Sequence, residues 1–149
     1  VQALPHELEP GTYTLATALA VLEHLPDPVA CLRGAYRMLR PGGVLVASCP
    51  HPMWDEIAGA LRLVAEEHHE QHIDGPKMVE LAEAAGFEQV RVEPFMFTPV
   101  GFLPYLRVAV DPKRSLRIDQ WVRDRFPWAG FAFVNQGLVA VKPTSGEWI

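Results

Sequence analysis

Apolar residues follow two rhythms along the chain, and the switches between them mark out the elements. Thr12 to Leu22, "TYTLATALAVL", is almost unbroken apolar and small, with Gly11 before it. A run without alternation predicts a strand buried on both faces, as in a parallel sheet. "LPDP" ends it, with Asp27 placed to cap a helix and Pro28 at the first helical position, where a missing N–H costs nothing. Val29, Leu32, Tyr36 and Leu39 then recur at helical spacing, with Arg33, Arg37 and Arg40 on the other side. "PGG" at 41–43 stops this helix and "VLVASC" opens a second buried strand. Strand, helix and strand with short links predict a βαβ crossover, hence a parallel pair.

The grammar continues more loosely. "DEIAGALRLVAEEHHEQH" puts Ile57, Leu61, Val64 and His68 on one helical stripe, with Asp55 as cap. "DGPKMVELAEAAGF" has Asp74 as cap, Met78, Leu81 and Ala85 facing inward, and Gly86 at the stop. "EQVRVEPF" alternates as a half-buried strand with Val90 and Val92 on one face, and "GLVAVKP" reads as a last strand. Between Met96 and Gly130 the chain is rich in Pro and aromatics, with one amphipathic piece, "SLRIDQWVRDRF", whose Ile118, Trp121, Val122 and Arg125 share a face. The predicted class is α/β with a mostly parallel sheet. Ligands of such sheets bind at the carboxyl ends of strands, which singles out the residues just after Leu22 and just after Cys49.

Composition narrows the partners. The 149 residues are 49% apolar and 21% charged, ordinary for one globular domain, with a formal net charge of −5. Proteins that grip nucleic-acid backbones carry a basic balance, so nucleic acid is not expected. Cys31 and Cys49 sit in apolar periodic segments and are read as two buried thiols in a reducing cytosol, a cytoplasmic location. No apolar run is long enough for a membrane span.

"ALAVLEHLPDP" followed by "YRMLRPGGVLVASCPHP" resembles the second half of class I S-adenosylmethionine-dependent methyltransferases of the small-molecule type. "EHHEQHIDGPKMVELAEAAGFEQVRVEP" is similar to the next helix and strand of that fold, and "GLVAVKP" to its final strand. The resemblance implies a Rossmann-like methyltransferase fold, incomplete, with about the last four strands and their helices. It makes residues 1–149 one partial domain with a variable, aromatic-rich insertion at about 96–130. It also implies S-adenosylmethionine as cofactor, with Ala18, Leu19 and Ala20 along its methionine and ribose portion and Glu23, His24 and Leu25 closing over it. The loop "PHPMW" would face substrate. The family's Gly-rich loop has no counterpart, since no G-x-G occurs anywhere in the chain. Upstream strands are therefore expected in a longer parent protein. Thr14 stands where the family usually has an aspartate. Ala20 stands where some quinone-biosynthesis O-methyltransferases have a metal-binding glutamate, so no metal is carried over.

Individual side chains leave alternatives open. His24 either orients substrate or acts as a base, or else hydrogen-bonds backbone to hold its turn. Glu23 either contacts cofactor or caps the neighbouring loop. His51 sits in a loop where a base could take a proton as the methyl group arrives, although alignment of nucleophile and sulfonium can supply most of the catalysis. His68, His69 and His72 form a metal-like cluster, better read as a solvated helix end. The insertion's aromatics either line a pocket for an apolar acceptor or cover the sheet. The overall expectation is methyl transfer to a small molecule. Its alternative is a catalytically inactive methyltransferase-like fragment acting as an interaction or dimerisation module. The exposed edge of the Thr12–Leu22 strand is expected either to pair across a homodimer or to aggregate.

Overall fold

A computed structural model describes residues 8–60 and 72–144. Its first unit is the predicted crossover: strand β1 (Tyr13–Leu19), helix α1 (Pro28–Met38) and strand β2 (Leu39–Pro50). β1 and β2 pair in parallel, with Ala16 opposite Leu45 and Ala18 opposite Ala47. Local chemistry accounts for α1. The Asp27 carboxylate accepts the Ala30 N–H at 2.9 Å, and Pro28 occupies the first turn. The helix stops at Met38, and the "PGG" segment already belongs to β2. Gly42 adopts φ +74°, and a Cβ on Gly43 would come within 2.8 Å of the Arg40 carbonyl, so both positions need glycine.

Helix α2 (Pro52–Ala60) starts before Asp55, which therefore lies inside the helix and is not its cap. Leu61, Val64, His68 and His69 lie outside the described residues, and His72 is exposed. Helix α3 (Gly75–Ala84) follows its predicted grammar: the Asp74 carboxylate accepts the Lys77 N–H at 2.9 Å, and Met78, Leu81 and Ala85 are buried. Strand β3 (Glu88–Phe97), the short helix α4 (Thr98–Gly101), helix α5 (Pro112–Arg125) and strand β4 (Phe133–Val141) complete the described chain.

The strand order is β1-β2-β4-β3. β4 inserts between β2 and β3 and runs against both, so among the described strands β1 and β2 alone pair in parallel. The sheet is mixed where a mostly parallel one was expected. The physical reason is the long excursion through α4 and α5, which returns the chain to the end of the sheet where β3 finished.

One sheet face carries the core. Ala18, Leu45, Ala47, Leu138 and Ala140 meet Leu32 of α1 and Met78, Leu81 and Ala82 of α3. Leu22, Leu32, Leu45 and Met78 are each at most 1% exposed, and each contributes roughly 2 kcal/mol by burial. β1 is not the doubly buried strand its composition suggested. Leu15 is 53% and Leu19 58% exposed, because β1 is an edge strand with α1 on one face only. Its apolar content and its place at the edge of the described sheet are separate facts, and periodicity reports only the first.

Two further expectations are corrected. Cys31 is exposed on α1, leaving Cys49 as the buried thiol. On α5 the inward residues are Asp119 and Val122, whereas Trp121 is 63% exposed, so the face expected to be shared by Ile118, Trp121, Val122 and Arg125 is divided between core and solvent. The cause is Asp119. Its carboxylate accepts the N–H groups of Met96 and Phe97 at 2.7 and 2.8 Å and rotates the helix to bring it against β3. Arg123 Nη1 adds a bond to the Pro94 carbonyl at 2.7 Å.

Candidate functional site at the carboxyl rim of β1 and β2

Because β1 and β2 are parallel, their carboxyl ends lie side by side at one rim of the sheet. At that rim β1 ends in a sharp reversal. Ala20 takes φ +48°, a left-handed conformation that costs an L-residue roughly 1–2 kcal/mol. Its N–H donates to the Ser48 carbonyl at 3.0 Å and approaches the Ser48 Oγ at 3.3 Å, which holds the reversal against β2. A single 3-10 turn follows, Leu22–His24, closed by the His24 and Leu25 N–H groups on the carbonyls of Val21 and Leu22 at 3.1 and 3.2 Å.

This turn sorts its side chains by position. Leu22 drops into the core at 1% exposure, Glu23 is buried at 3%, His24 is exposed and Leu25 is half-buried. The burial of Glu23 is unusual, because an isolated carboxylate pays heavily for leaving water. Its Oε2 has no hydrogen-bond partner among the described residues. The Glu23 carboxylate lies beside Cys49 at the end of β2, and burial together with that neighbouring charge pushes the thiol up to about 12.

His51 follows directly after β2. Its N–H donates to the Val134 carbonyl at 2.7 Å, and its own carbonyl accepts from Trp54 at 2.9 Å. Trp54 Nε1 donates to the Phe131 carbonyl at 2.6 Å, so the first turn of α2, expected from sequence to be a loop, is tied to the segment that leads into β4. His51 Nδ1 is buried and has no partner among the described residues. The rim therefore gathers Ala18, Leu19, Ala20, Glu23, His24 and Leu25 from one strand end and His51 from the next. Two contributors escaped sequence reasoning: Ser48, which anchors Ala20, and Cys49, which neighbours Glu23. Neither had a sequence signal, since their roles arise from strand register alone. No group of three His, Cys, Asp or Glu side chains suited to a metal occurs among the described residues.

Comparison with known proteins gives this geometry a lineage. The sequence profile of a methyltransferase domain matches residues 3–92, more than half the chain and the whole stretch from β1 to the Val92 register of β3. The chain belongs to the methyltransferase-domain family. Among curated relatives, the ubiquinone biosynthesis O-methyltransferase of Idiomarina loihiensis is 27% identical over 107 residues, covering 64% of this chain and 43% of that protein. The corresponding Sodalis glossinidius enzyme is 34% identical over 88 residues, covering 54% of this chain and 34% of that protein. The chain thus spans less than half the length of these relatives. A solved SAM-dependent methyltransferase from Thermotoga maritima, described as a possible histamine N-methyltransferase, superposes with a TM-score of 0.63 at 16% identity, over 94% of this chain and 60% of that one. At that identity the likeness speaks to the fold, which is the Rossmann-like fold of the methyltransferases.

Proposed function

We propose that the protein takes part in methyl transfer from S-adenosylmethionine to a small-molecule acceptor, as part of a longer parent protein. The carrying observation is the rim, where a left-handed Ala20 ends β1 and two buried polar atoms, Glu23 Oε2 and His51 Nδ1, have no partner among the described residues. Orphaned buried acceptors are expensive unless a ligand satisfies them. Membership in the methyltransferase-domain family and relatives named as O-methyltransferases support the same direction.

The residues fit the cofactor chemically. Ala18 and Ala20 carry no bulk beyond Cβ, so a ligand can approach the backbone closely at the strand end. Glu23 offers an acceptor suited to a hydroxyl or ammonium group. Leu25 supplies apolar surface that excludes water. Bound S-adenosylmethionine supplies a methyl group activated on a positively charged sulfur. The chain's part is to hold the acceptor in line with that group and to receive the proton its nucleophile sheds. His51, with Nδ1 unpartnered, is the residue proposed for that proton, and the exposed His24 is the second candidate.

Calorimetric titration of S-adenosylhomocysteine into the polypeptide expressed from its natural reading frame tests this reading. Saturable binding is expected, weakened roughly tenfold or more when Glu23→Gln removes the charged acceptor proposed for the cofactor. An intact protein that gives no binding heat would sink the proposal.

One observation favours a second reading, an interaction or dimerisation module. Among the described residues β1 presents an unpaired edge next to the exposed Leu15 and Leu19, and such edges accept another strand. Size-exclusion chromatography decides this one: a stable monomer at high concentration removes it.

A further inference from the structure

The insertion presents an apolar surface that the core does not use. Trp121, Trp128 and Phe131 are 63%, 72% and 51% exposed. They form one chain of rings with the half-buried Phe126 between them: Trp121–Phe126, Phe126–Trp128 and Trp128–Phe131 centroids are each 6.1 Å apart. At 100° per residue, Arg114, Arg117, Ile118, Trp121 and Arg125 occupy one flank of α5, with the exposed Asp124 at one border, the buried Val122 at the other and Asp119 turned away. The Arg125 guanidinium lies 5.3 Å from the Phe126 centroid, so charge and ring surface are interleaved, not segregated. Contiguous exposed aromatic surface of this kind marks a contact site.

Charge identifies the occupant. α5 carries five Lys or Arg and two Asp, within a chain whose net charge is −5. Two of the five are engaged: Arg123 with Pro94 and Glu93, and Arg114 with Asp111 at 3.9 Å. Arg125 lies against the Phe126 ring, and Arg117 falls one turn before Trp121 on the same flank. Two-fold self-association would bring this arginine flank against itself, a repulsive arrangement. A long polyanion would overrun the patch onto the acidic remainder of the chain. A flat anionic layer with an apolar interior satisfies both halves of the surface: arginines at the charged headgroups, indoles and Ile118 at the boundary beneath. α5 packs on β3, the sheet edge opposite β1, so whatever pairs with β1 does not approach this surface from that side.

We propose that the α5 flank and the Trp121–Phe131 ring chain dock the protein reversibly on an anionic lipid surface. This is lateral adsorption, since no described helix is long and apolar enough to cross a membrane. The inference is independent of the methyl-transfer reading.

The test uses the full chain with vesicles of equal parts phosphatidylcholine and phosphatidylglycerol, against phosphatidylcholine alone. Co-sedimentation with the mixed vesicles only, release in molar salt and a blue shift of tryptophan emission are expected. W121S/W128S should abolish the shift, and R114Q/R117Q should weaken partition roughly fivefold per arginine. Quenching of the wild-type tryptophans by acyl-chain-brominated lipid reads the same contact without any variant, so it decides the matter should a variant misfold. Failure of the wild-type chain to partition, or unchanged partition of both variants, overturns the proposal. So does a dimer, or binding to single-stranded RNA, that depends on Trp121 and Trp128 while vesicles are ignored.

Discussion

The amide of Ala20 donates to the carbonyl of Ser48 at 3.0 Å, with the Ser48 hydroxyl oxygen 3.3 Å away, while Ala20 itself holds φ +48°. One residue of β2 thus anchors the point at which β1 ends and the candidate site begins. The left-handed alanine is strained, and the strain is maintained because the following turn must bury Leu22 and Glu23.

Ala20→Gly should therefore stabilise the fold by about 1 kcal/mol, since glycine takes φ > 0 without penalty and the exposed methyl group leaves little packing behind. Ala20→Val should cost about 1–2 kcal/mol more than wild type, because branching at Cβ worsens the same clash. Urea unfolding midpoints of the three proteins check the order. A glycine variant less stable than wild type would show that the residue is not strained.

The two cysteines should separate cleanly. Cys31 is exposed and Cys49 buried, with the Cys49 thiol pushed up to about 12 by burial and by Glu23. A disulfide reagent at mildly alkaline pH should titrate one thiol quickly and the second only on unfolding. The same shift gives a pH dependence of defined sign. The unfolded chain loses this proton near the ordinary value of 9.0, whereas the folded chain keeps it to about 12. Cys49 therefore contributes its full stability below the lower value and loses it progressively as pH rises between the two. Cys49→Ala should flatten the alkaline fall in stability measured by urea unfolding.

Asp119 should behave as a structural acid. It is 1% exposed and accepts two backbone N–H groups, from Met96 and Phe97. Asp119→Ala orphans both donors and should cost about 3 kcal/mol, with proteolysis within the insertion rising in parallel. Asp119→Asn keeps one acceptor and should recover part of the loss. Equal thermal stability of wild type and the alanine variant would contradict this account.

Lys142 should act as a side-chain cap on α1. Its Nζ donates to the carbonyls of Tyr36 and Leu39 at 2.9 and 2.7 Å and sits 4.6 Å from the Tyr36 ring centroid. A cation at a helix C-terminus complements the dipole there, and its N–H groups serve carbonyls at the helix end. Lys142→Met keeps the stem but removes the donor, and should cost about 2 kcal/mol by thermal unfolding. Lys142→Arg should fall between the two.

Where an element rests on short-range chemistry, the chain announces it. Asp27-Pro28 and Asp74 each start a helix because a carboxylate and a free N–H three residues on find one another whatever surrounds them. The β1–α1–β2 crossover follows from run lengths and turn residues, and with it the rim that carries residues 18–25 and His51. The insertion is the opposite case. On α5 the spacing of Ile118, Trp121 and Val122 groups them on one face, but a single buried aspartate with two backbone partners sets the helix rotation, so Val122 is buried while Trp121 meets solvent.

Long-range register governs the remainder. That β4 slips between β2 and β3, that Ser48 reaches Ala20, and that Glu23 lies against Cys49 all depend on residues 25 or more positions apart. Local propensity carries no information about such pairings, because their free energy exists only after strands from distant segments have aligned. Helix ends and the crossover could thus be read from neighbouring residues, while strand neighbours, buried charge and the outward aromatic surface were settled by the packing of the whole.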